Sequence, residues 1–166
     1  MKKLCASLTL VLLTSAVVIM SGYWTGYASG DAIGHARQHE INNSGIQGHI
    51  FVVDNGSNLV VVGAATGMDP TKSYFSLFYD KGSLPGGPNA CVPSANSDLT
   101  GPQMFIANWS VDPEGTGTLV RPSKTGAAYV PLSDIGTVSI RQNTPGQNPP
   151  FFNIVVACGE VARNPL

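Results

Sequence analysis

From Ile46 onward the chain alternates short apolar runs with polar punctuation. The runs IQGHIFVVD (46–54) and NLVVVGAAT (58–66) are rich in β-branched residues and flank Asp54-Asn55-Gly56-Ser57. Asn-Gly between such runs predicts a hairpin, because both residues tolerate positive φ. GMDPTK (67–72) is the next turn and KSYFSLFYD (72–80) the third strand. MFIANWSV (104–111), TGTLV (116–120), AAYVPL (127–132), GTVSIRQ (136–142) and FFNIVVACGEV (151–161) complete a set of eight. Stretches 81–102 and 143–150 are Gly/Pro/Asn-rich loops. Eight short strands without a helical period imply an antiparallel sandwich or barrel. KSYFSLFYD is unusual among them. Phe75, Leu77 and Tyr79 fall on one side of an extended chain, and Tyr74, Ser76, Phe78 and Asp80 on the other. Both faces carry aromatics, so neither is an ordinary solvated face.

The N-terminus is patterned differently. Lys2 and Lys3 precede an apolar run from Leu8 to Met20, followed by small residues. A basic start, a run of about 13 apolar residues and a small-residue exit describe a secretory signal peptide, taken here as 1–28. The run falls short of the roughly 20 residues of a membrane-spanning helix. No stable membrane span is expected after cleavage, and the expected location is secreted, extracellular or periplasmic. Residues 29–45 are polar without a period, which predicts a flexible N-terminal arm, and 46–166 is the expected barrel domain.

Without Lys2 and Lys3 the chain has 7 basic and 10 acidic residues, a net charge of −3. Nucleic acid, which needs a basic face, is therefore not an expected partner. Only 11% of residues are charged, against about 25% in typical domains, and turn-forming polar residues supply the solubility. Two cysteines follow the signal segment, Cys91 and Cys158. In an oxidising compartment an even pair is most simply a disulfide. Closing so long a loop contributes roughly 4 kcal/mol in the chain-entropy picture.

Three stretches, in order, resemble one family. VVACGEV is similar to the terminal strand of Cu/Zn superoxide dismutases, whose cysteine pairs with one in a long loop, where Cys91 stands. ATGMDPTKSYFSLFYDKGS resembles that family's turn and His-x-His strand, and NWSVDPEGTGTL its strand-turn-strand ending in Asp-x-x-Gly. The resemblance covers residues 46 to 161. It implies an eight-stranded Greek-key antiparallel β-barrel with one intradomain disulfide, and a family that often forms dimers, so a homodimer is one expectation. The chemistry does not follow. The family's paired copper histidines are matched by Ser76 and Phe78. Residues 81–111 contain no histidine for zinc. The last copper histidine is matched by Arg141, and the substrate-steering arginine by Val155. Copper and zinc sites of this kind need imidazole nitrogens, so the resemblance implies the fold with its metal site lost and no cofactor.

In the family the ligand face of this strand points out of the barrel. Tyr74, Ser76 and Phe78 are accordingly expected on an outer face, either covered by loop 81–102 or exposed as a binding platform. Candidate contacts are Tyr74, Ser76, Phe78, Tyr79 and Arg141, for an extracellular protein or a small ligand. His35 and His39, four apart with Glu40 adjacent, would share one face of a helical turn and could capture a metal, or could be a solvated pair on the arm. His49 reads as a surface or edge residue. A rival reading is a divergent dismutase using His35, His39 and His49. Hydrolytic chemistry finds little support: there is no Gly-x-Ser-x-Gly elbow, and Asp112 and Glu114 share one tight turn. No glycine loop leads from a strand into a helix to hold phosphate. Asn42, Asn55 and Asn108 begin Asn-x-Ser sequons, and Trp109 is expected in the core.

Overall fold

The structure is a computed structural model that describes residues 32–81, 99–143 and 154–164. These belong to one compact unit, Asp31–Leu166. The expected signal peptide and Cys91 lie outside the described residues.

Nine strands form one antiparallel sheet: β1 (Ala32–Glu40), β2 (Gln47–Asp54), β3 (Asn58–Thr66), β4 (Tyr74–Asp80), β5 (Phe105–Asn108), β6 (Ser110–Val111), β7 (Gly117–Thr125), β8 (Ile135–Gln142) and β9 (Ile154–Asn164). Their order is β5-β4-β8-β9-β1-β2-β3-β7-β6. The two ends of that order, β5 and β6, are successive parts of one stretch interrupted at Trp109. β5 pairs with β4 and β6 with β7, so the sheet curls into a nearly closed barrel. A one-turn helix, α1 (Gly101–Met104), leads into β5 and is started by Thr100 and Gln103 in a capping box.

The expected flexible arm is instead a strand. β1 lies between β2 and β9, with neighbours on both sides. Asn42 and Asn43 take φ of 58° and 54° to turn the chain into β2, a conformation asparagine enters more readily than most residues. The inward residues of β1 are small or polar. A Cβ on Gly34 would meet Leu132 Cδ1 at 2.7 Å, so only glycine lets this strand sit so close to its cover.

AAYVPL is not a strand. It spans two 3-10 turns, Gly126–Ala128 and Leu132–Asp134, which Asp54 holds. Its carboxylate accepts the Tyr129 hydroxyl at 3.0 Å and the Leu132 N–H at 2.8 Å. It also accepts the Gly56 N–H at 2.8 Å, tying the β2–β3 hairpin to the same point. That hairpin forms where the sequence places it, but among its loop residues only Gly56 takes positive φ, at 86°.

Alternate side chains of each strand fill the barrel. Ile50, Val52, Leu59, Val61, Phe78 and Ile140 are all fully buried there. Trp109 packs among them (7% exposed) as expected. Its slot is shaped by missing side chains, since a Cβ on Gly63 or Gly117 would stand 3.1 or 3.0 Å from the indole. β7 carries a bulge: Leu59 pairs with Lys124 but Val61 with Arg121, leaving Pro122 and Ser123 without ladder partners. The extra residue turns Lys124 inward.

Candidate functional site

β4 is buried along both faces from Tyr74 to Tyr79, but the faces are the reverse of the expected ones. Tyr74 and Phe78 belong to the main core inside the barrel. Ser76 lies between them, fully buried, and accepts the Trp109 indole N–H at 2.9 Å. A hydroxyl is needed there because a buried indole N–H without a partner is costly. The outward face carries Phe75, Leu77 and Tyr79, which form a second cluster with Met104 of α1 and Leu99 beside it.

The pairing partners on β8 extend this outward face. Arg141 stands opposite Phe75, Ser139 opposite Leu77 and Thr137 opposite Tyr79. On the far side Ser139 faces Cys158 of β9. The Tyr79 hydroxyl accepts Arg141 Nε–H at 2.8 Å and Ser139 Oγ–H at 3.2 Å. The guanidinium carbon lies 5.8 Å from the Tyr79 ring centroid. Tyr79, Ser139, Arg141 and Cys158 are each at most 4% exposed. The candidate binding face of Tyr74, Ser76, Phe78, Tyr79 and Arg141, expected on one outer face whether covered or exposed, is therefore not a single face. Its members divide between the core and the outward wall, and none is exposed. The polar alternation Thr137-Ser139-Arg141 was the missed signal. It reads as a solvated strand face, yet hydrogen bonding to Tyr79 lets it be buried.

The histidines are also rearranged. On a strand, residues four apart are separated by about 13 Å, so His35 and His39 do not meet at one ion. The β1–β2 register sets His35 opposite Phe51 and Arg37 opposite His49. His35 and His49 are thus diagonal neighbours, with Nε2 of His35 2.8 Å from Nδ1 of His49. The His35 ring stacks on Phe51, centroids 4.5 Å apart and planes 17° from parallel. Partial burial, and then the charge of His49, hold the His35 imidazole below its ordinary value, favouring the neutral ring.

Lys124 is the buried cation of the barrel end. Its ammonium donates to the carbonyls of Pro102 and Phe105, where α1 runs into β5, and lies 6.0 Å from the Phe78 ring centroid. Burial, and then the positive charge of Arg121, bring its pKa down to about 8. No described residues group three or more His, Cys, Asp or Glu side chains around a common point. Among the described residues no helix is long and apolar enough to cross a membrane.

A scan against protein-family models and a search of curated proteins both returned no match.

Proposed function

We propose that the chain is a secreted, non-catalytic β-barrel of the Cu/Zn superoxide dismutase type, acting as a structural or binding module. The observation that carries this reading is the closure of β4 on both sides by Tyr74, Phe75, Leu77, Phe78 and Tyr79. The positions matching the paired copper histidines, Ser76 and Phe78, hold side chains without an imidazole. The strand order supports the Greek-key part. β4, the β5/β6 stretch and β7 follow one another as neighbours, and β8 returns beside β4, the four-strand arrangement of that motif. The crosslink is proposed between Cys158 and Cys91. Cys158 is buried in β9, and of the other two cysteines in the sequence, Cys5 and Cys91, Cys5 falls in the expected leader. The leader's pattern supports secretion. The proposed partner is an extracellular protein or small ligand, or a second copy of the chain.

The test is superoxide-dismuting activity of the oxidised mature chain after loading with copper and zinc. The expected result is no activity above that of the free ions removed by washing. Activity that stays with the washed protein would overturn the reading in favour of a divergent dismutase.

A further inference from the structure

We propose that His35 and His49 form a two-imidazole site for a borderline divalent metal ion, Cu2+ foremost, on the solvent side of β1 and β2. The site is built by the register of two strands. Diagonal positions across an antiparallel pair lie about 7–8 Å apart at the backbone, close enough for long side chains to meet. Here the two nitrogens meet at 2.8 Å, with ring planes 11° apart and centroids 5.1 Å apart. Two imidazole nitrogens bound at about 2.0–2.1 Å on adjacent positions of a square-planar ion stand about 2.9 Å from each other. The observed spacing needs almost no change. The proton shared across that contact passes to the other nitrogen of its ring or to solvent as the metal binds, and a rotation at the exposed His49 ring turns the two lone pairs onto an ion beside the contact.

The scaffold limits the cost of binding. His35 is fixed by its stack on Phe51, and β1 has strands on both sides, so little freedom remains to be lost when a metal is bound. Imidazole is a ligand for copper, zinc and nickel, and copper(II) stands highest in the affinity order of the divalent ions. No third metal-binding side chain joins the pair among the described residues. Water, or a donor from another molecule, completes the coordination. The site lies on the β1–β2 surface, apart from the β4 positions that match the family's copper ligands, and it does not depend on the dismutase resemblance.

The experiment is a Cu2+ titration of the full mature chain, followed by calorimetry and by electron paramagnetic resonance, beside His35→Gln, His49→Gln and His39→Gln variants. Circular dichroism of each variant verifies the fold. The expected result is one equivalent of Cu2+ with nitrogen ligation. His35→Gln and His49→Gln each weaken binding by roughly tenfold or more, while His39→Gln leaves it unchanged. Equal binding in the folded His35→Gln/His49→Gln double variant, or no binding by the parent chain, would overturn the proposal. Running the dismutase assay on the His35→Gln/His49→Gln double variant as well separates the two readings: activity lost in that variant belongs to copper at this site, and activity kept in it overturns the non-catalytic reading alone.

Discussion

Single residues inside the barrel show where polar groups are satisfied and where they are not. Gln38 faces inward from β1 at 1% exposure, and neither its amide nitrogen nor its amide oxygen has a partner among the described residues. Gln38→Met should therefore stabilise the domain by about 1–3 kcal/mol, measured by urea unfolding; destabilisation would show that an ordered water already serves the amide. Ser76→Ala should do the opposite. It strands the Trp109 N–H and should cost about 1–3 kcal/mol, read from the same unfolding curves. The titrating residues give a pH signature. Lys124 has its pKa depressed to about 8 from 10.5, so the unfolded chain holds the extra proton between those values and stability rises with pH across that window. Tyr129 is pushed up to about 12, by burial first and then by its hydrogen bond to Asp54, so its contribution is present below pH 10 and lost as pH climbs from 10 to 12. Unfolding free energy should climb from pH 8 to 10 in the parent chain and lie flatter in Lys124→Met. Equal slopes in the two proteins would refute this assignment.

At the scale of elements, the sequence was most legible where apolar residues alternate and least where they do not. β2, β3, β4, β8 and β9 announce themselves as β-branched or aromatic runs. β1 does not, because its inward positions are Gly34, Ala36 and Gln38, small or polar residues that leave no hydrophobic stripe. Its only hint was the asparagine pair at 42–43 followed by Gly45, a turn that implies a strand on each side. AAYVPL erred the other way. Its apolar residues are anchors of two short turns, held by a carboxylate that lies 75 residues away in sequence from Tyr129. No local pattern reveals such a partner. Asp54→Asn keeps the shape but removes the charge that accepts three hydrogen bonds. It should cost about 2–3 kcal/mol, checked by the thermal midpoint. The face of β4 was misassigned for a related reason: with aromatics on both sides, a period of two cannot say which side is inward.

For the whole molecule, β-barrel class was readable from strand number and turn chemistry, whereas the start of the domain was not. Since β1 joins β9 to β2, the domain begins near Asp31 and not at Ile46. A chain of residues 46–166 should fail to unfold cooperatively, while 31–166 should do so; heat-capacity calorimetry of the two distinguishes a strand from a dispensable arm. The candidate histidine site was half legible. The residue types were visible, but the partner of His35 is chosen by strand register, which brings His49 near and carries His39 away.

The bulge in β7 has a consequence for behaviour at high concentration. β6 pairs only with Gly117 and Thr118, so from Leu119 to Thr125 the outer rim of β7 has no ladder partner among the described residues, although β5 lies near it. An unpaired rim of this kind invites another chain to dock its own backbone and start a fibre. Pro122 lacks an amide hydrogen, Arg121 brings charge, and the bulge breaks the flat ladder, three devices that discourage such templating. Pro122→Val should leave the monomer folded yet shorten the lag before amyloid-dye fluorescence appears on incubation, so that one irregular turn of backbone keeps a nearly closed barrel from polymerising at its seam.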